Sequence, residues 1–149
     1  MAEETSRSVR IERTAAGRYL AHNPSGATIA FGAGDSGSFT PVELLLAAIG
    51  GCTAIDADLA TSRHAEPTAF TVTVNGDKVS DDTGNRLTNL SVTFAVDYPS
   101  GTDGDTARAI LPRAVRQSHD RLCTVSRTVE LGAPVASTIA QPGESGRPQ

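Results

Sequence analysis

Phe39-Thr40-Pro41-Val42-Glu43-Leu44-Leu45-Leu46-Ala47-Ala48-Ile49-Gly50-Gly51-Cys52-Thr53-Ala54-Ile55-Asp56 decides how the rest of this chain is read. It opens with a helix start signal. Thr40 supplies an N-cap oxygen for the Glu43 amide, Pro41 occupies the first helical position, and the Glu43 carboxylate can reach back to the Thr40 amide. The residues that follow are apolar nearly all round until Asp56, so the spacing predicts a helix over Leu44–Leu59 buried on most of its surface. Gly50-Gly51 inside it costs about 1 kcal/mol per Gly against Ala. Such a pair marks a place where another backbone comes close.

On the N-terminal side, Val9–Ala15, Arg18–His22 and Ala27–Phe31 read as short strands, separated by Ala16-Gly17 and by the turn signal Asn23-Pro24-Ser25-Gly26. Gly32–Ser38 is a Gly-rich loop that matches no phosphate-binding pattern. On the C-terminal side the period becomes two. Phe70, Val72 and Val74 alternate with Thr71 and Thr73, and Leu90, Val92, Phe94, Val96 and Tyr98 repeat the pattern beyond a turn-rich insert at Gly76–Asn85. These runs predict a long antiparallel hairpin. A second helix starts at Thr102–Asp105 with Ala107, Ile110, Leu111, Ala114 and Val115 on one face, and Pro112 inside it predicts a kink or a late start. Cys123–Glu130 reads either way, and Pro134–Ala140 reads as a closing strand. The order of elements is that of an α+β protein. Residues 8–140 are expected to form one domain between flexible tails at 1–7 and 141–149.

The chain of 149 residues is long enough to build a core without disulfide or metal staples. Its net charge of −4 argues against nucleic acid as a partner. The apolar run Val42–Gly51 is shorter than the about 20 residues a membrane span takes, and MAEETSRSVR lacks a signal peptide's apolar stretch. The expectation is a cytoplasmic protein with no membrane partner, in a compartment that keeps thiols reduced. Its only two cysteines, Cys52 and Cys123, are therefore inert core side chains, metal ligands or a redox pair. Neither sits in a metal-binding spacing, so no metal or other cofactor is expected.

The Phe39–Asp56 run resembles the core helix of the OsmC/Ohr family, in which a Pro-x-Glu-Leu start precedes the reactive cysteine by eleven residues, as Pro41 precedes Cys52. Cys123 followed by Ser126 is similar to the family's second block. The resemblance covers about Val9 to Ala140. It implies an antiparallel sheet wrapped on a long buried central helix in an intertwined homodimer with active sites at the interface. It also implies reduction of organic hydroperoxides or hydrogen peroxide, in oxidative stress defence. Cys52 would attack the peroxide and become a sulfenic acid, Cys123 would condense with it, and an external thiol or dithiol would restore both.

The resemblance further implies an Arg from the N-terminal strands that activates the attacking thiol. Arg18, after Gly17, matches best, with Arg13 as its rival. The family's Glu directly after the Pro is Val42 here. Glu43, one position later, lies about 180° around the helix from Cys52 and is assigned to the cap. Thr124 stands where a Pro is common. Asp56, one turn after Cys52, shares its face and would oppose a thiolate unless paired. Ser118 and His119, one turn before Cys123, read as surface positions. The alternative function is a non-catalytic relative that holds a hydrophobic small molecule in the dimer-interface pocket, with Cys52 as packing.

Overall fold

The computed structural model describes residue 2, residues 4–34 and residues 37–143. Residues 1, 3 and 144–149 of the expected tails, and residues 35 and 36 of the Gly-rich loop, fall outside these residues.

Three short strands, β1 (Arg10–Ala15), β2 (Arg18–His22) and β3 (Thr28–Gly32), form an antiparallel sheet in the order β1-β2-β3. Gly17, at φ +67°, makes the first turn. At the second, the Asn23 side-chain oxygen accepts from the Ala27 amide at 2.8 Å, the local bond that favours Asn in turns. Tyr19 stacks on Phe31 across β2 and β3 with ring centroids 5.6 Å apart. Gly32 N–H donates to the Phe39 carbonyl at 2.9 Å, which ties this sheet to the helix that follows.

That helix, α1 (Pro41–Thr61), begins as its sequence predicts. The Glu43 amide donates to Thr40 Oγ1 at 3.2 Å and the Thr40 amide to Glu43 Oε2 at 2.8 Å, so the box satisfies two end donors. At 21 residues it runs well past the apolar stretch Val42–Gly51 and reaches membrane-spanning length, correcting the expectation that this segment is too short. Within the chain it buries one face, Ile49, Gly50, Thr53, Ala57 and Thr61, rather than most of its surface. Leu45, Ile55 and Leu59 on the other side stay exposed. A Cβ at Gly50 would collide with Val74 Cγ2, whereas one at Gly51 would meet open space. Only the first glycine of the pair serves a close approach.

Strands β4 (Ala69–Asp81) and β5 (Gly84–Asp97) form the long antiparallel hairpin, with Phe70 opposite Val96 and Val72 opposite Phe94. The turn-rich reading of Gly76–Asn85 is corrected. The strands continue through it to the two-residue loop Asp82-Thr83, where Asp81 Oδ1 accepts from the Thr83 amide. Gly76 is a bulge, not a turn. A Cβ there would lie 2.8 Å from Leu90 Cδ2, so glycine at the bulge leaves room for that side chain.

Helix α2 (Thr102–Gln117) starts where expected and continues past Pro112, so the late-start reading is corrected. Small residues (Ala57, Ala107 and Ala114) are buried where α1 and α2 pack together. A π-helical turn, Ser118–Leu122, follows at once, and the ambiguous segment becomes the helix α3 (Thr124–Leu131). Pro134–Ala140 is not a strand: no partner pairs with it among the described residues, and Val135 and Ile139 lie open to solvent. Alternation alone does not make a strand when its backbone pairs with no sheet edge.

Candidate functional site

Cys52 sits a little over three turns into α1, half-buried, beside buried Thr53. One turn on, Asp56 shares its face, as the i, i+4 spacing requires. Ser118, read from the sequence as a surface position, is fully buried and donates to Asp56 Oδ2 at 2.7 Å. That bond fastens the π turn to α1. The turn's extra backbone length then delivers Cys123, whose amide donates to the Ser118 carbonyl at 2.8 Å.

Cys123 has no exposed surface and is the N-cap of α3. Its sulfur accepts from the Ser126 amide at 3.4 Å and lies 3.3 Å from Ser126 Oγ. A cap normally uses an oxygen from Ser, Thr, Asp or Asn; here a sulfur takes that place. The neighbouring Val125 amide turns to Cys52. The first turn of α3 thus stands against both sulfurs, and the two thiols lie close enough for each to act on the other's ionisation.

The surroundings treat the thiols differently. Burial pushes Cys52 up, and Cys123 and the Asp56 charge add to this; the Val125 amide alone works downward. Burial also pushes Cys123 up, but the Ser126 hydroxyl, Thr53, the Ser126 amide and the Cys52 thiol together outweigh it and bring the net value below the ordinary one. Arg18, first residue of β2, and Arg13 in β1 are both exposed. Glu43 is occupied in the cap.

The sequence brings Cys52, Asp56, Cys123 and Ser126 into view, and the fold assembles all four. It hides Thr53 and Ser118. Thr53 carried one signal, a hydroxyl next to a cysteine in an otherwise apolar helix. Ser118 carried one as well, its place one turn before Cys123, but that spacing reads as a surface position because its burial depends on the π turn.

A cavity of about 450 Å³ opens beside this cluster. Ile49, Val92, Phe94 and Val115 supply apolar walls, and Thr53 and Ser126, the hydroxyl residues nearest the sulfurs, also line it. His119, in the same lining, is held by Asp120 at 3.0 Å and Glu130 at 2.7 Å. It stands outside the thiol cluster.

The family model described as OsmC-like protein matches residues 33–138. The chain belongs to the OsmC-like family. An uncharacterised protein of Mycobacterium tuberculosis is 27% identical over 135 residues, covering 89% of this chain and 96% of its own. Among solved structures, a hypothetical protein from Aquifex aeolicus superposes with a TM-score of 0.68 at 19% identity, over 87% of this chain and 90% of that one. An OsmC-like protein of unknown function from Vibrio cholerae gives 0.68 at 13%, over 85% and 95%. The organic hydroperoxide resistance protein OhrB of Bacillus subtilis gives 0.51 at 14%, over 84% and 90%. At these identities the structures share the fold, α+β with antiparallel sheets, with this OsmC-like chain.

Proposed function

We propose that this OsmC-like protein is a cytoplasmic, homodimeric, thiol-dependent peroxidase. It reduces organic hydroperoxides or hydrogen peroxide through Cys52 and Cys123, with an external thiol or dithiol as reductant and no bound cofactor. The observation that supports the reading is the meeting of two cysteines, 71 positions apart in sequence, close enough at the start of α3 for each to act on the other's ionisation. A structural role for either would not require the other. Cys52, the half-buried thiol, is the one a peroxide can approach, and Cys123 is placed to condense with the sulfenic acid. One of the proteins that share this fold is named for organic hydroperoxide resistance, which points the same way.

The test is consumption of cumene hydroperoxide with a dithiol, together with the mass of the protein after one equivalent of peroxide and no reductant. The expected result is turnover abolished by Cys52→Ser, and an intramolecular disulfide in the wild type. Unreacted thiols after peroxide, or turnover that survives Cys52→Ser, sinks the reading.

A second reading, a non-catalytic protein that holds a hydrophobic small molecule, draws on the apolar cavity and on the exposure of Arg18. Retained ligand binding in Cys52→Ser with no peroxide consumption in the wild type would favour it.

A further inference from the structure

The cavity beside the thiol pair changes character from floor to mouth. Its volume of about 450 Å³ lies within the range of about 300–1,000 Å³ usual for small-molecule sites. Its most buried lining residues are Thr53 and Ser126, which mark the floor. Neither hydroxyl is idle. Thr53 Oγ1 donates to the Ile49 carbonyl at 3.5 Å, and Ser126 Oγ accepts from Cys123 Sγ at 3.3 Å. The walls are hydrocarbon, with Val92 and Phe94 from β5 and Val115 from α2. The charged lining residues, Arg116, His119 and Glu130, are all exposed and mark the mouth. An ion carried to the floor would lose its water and meet no opposite charge in the lining.

Two of the three charged groups at the mouth are already engaged. His119 bonds Glu130 at 2.7 Å and Asp120 at 3.0 Å, and Arg127 reaches the other Glu130 oxygen at 3.1 Å. Arg116 has neither a hydrogen bond nor an ion pair among the described residues. Its place in the last turn of α2 would suit the negative end of a helix, but that end is taken up. The Ser118 amide donates there to the Ala114 and Val115 carbonyls.

We propose that this cavity binds an amphiphile that ends in a carboxylate, with its apolar chain along Val92, Phe94 and Val115 and its head on Arg116. The planar fork of a guanidinium matches the two oxygens of a carboxylate. One uncommitted cation matches one negative charge. Glu130, at the same mouth, would repel a second, which disfavours a phosphate monoester. The orientation follows from solvation, because the chain gains by leaving water while the head stays wet beside its counter-charge. The proposal rests on the cavity holding a ligand, whether or not the thiols reduce peroxides.

The test is displacement of phenylnaphthylamine, a neutral dye that fluoresces in apolar surroundings, by decanoate, decanol and decyl phosphate below their micelle-forming concentrations. Decanoate should bind about three- to tenfold more tightly than decanol, the range for one partly solvated charge pair. Arg116→Gln should bring decanoate to the level of decanol and leave decanol unchanged. Raised salt should shrink the same advantage. Val129→Trp, which fills the cavity from a partly exposed lining position, should weaken both, with circular dichroism showing that it folds. Equal affinities for decanoate and decanol, or a decanoate affinity that Arg116→Gln leaves intact, overturns the carboxylate assignment while an apolar ligand stands. Decyl phosphate binding as tightly as decanoate overturns the match of single charges. No uptake of the dye, or no displacement by any of the three, overturns the site and the ligand-holding reading together. None of these probes carries a peroxide, so hydroperoxide turnover stands or falls separately.

Discussion

At the scale of single residues the site turns on small polar groups rather than on strong charges. Asp56 is the exception, a carboxylate whose field works against ionisation of Cys52. Replacing it by Asn keeps an acceptor for Ser118 and removes the charge, so Asp56→Asn should lower the Cys52 titration midpoint. In a Cys123→Ser background this reads as faster Cys52 alkylation at neutral pH. An unchanged rate would mean that the carboxylate does not act on the sulfur. Cys52, Asp56, Cys123 and Ser126 were legible in the sequence because helical spacing and the cysteine-to-serine interval are local facts. Thr53 and Ser118 were not, since their importance lies in what folds against them.

The elements impose two further expectations. Gly50 lets α1 lie directly on β4, so Gly50→Ala drives a methyl into Val74 and should cost about 1–3 kcal/mol of stability by overpacking. Gly51→Ala, facing open space, should be neutral or stabilising, and denaturant melts of the two variants compare them directly. The joint between the π turn and α3 is pH-dependent. Hydrogen bonds to the Asp120 and Glu130 carboxylates raise the His119 value above the ordinary one. A group raised in the folded state stabilises fully below its unfolded value of about 6.5, and this contribution is lost as pH rises through the folded value. His119 is largely exposed, so the effect stays within about 1 kcal/mol. Wild type should lose melting temperature relative to His119→Gln between mildly acidic and mildly alkaline pH; parallel curves would exclude the effect.

For the whole molecule, one chain leaves too much apolar surface uncovered. Ile11 and Ile29 on the N-terminal sheet are more than half exposed, as are Ile55 and Leu59 along α1. Exposed apolar area of this kind is normally covered by a partner, and a second copy is the occupant we propose. Sedimentation at micromolar concentration should give a dimeric mass, and a folded monomer would refute it. The burial expected for α1 depends on the same point, because composition reports that a helix is apolar without saying which chain covers it. By itself the sequence determined the capped start of α1, the three N-terminal strands, the two hairpin strands and the cysteine positions, since capping and periodicity act over a few residues. Tertiary structure alone decided that Gly76–Asn85 continues a hairpin and that Pro134–Ala140 has no strand partner. It also decided that a π turn carries Cys123 to Cys52. Those outcomes depend on which edges, hydroxyls and backbone amides meet across the fold, and no local pattern encodes such meetings.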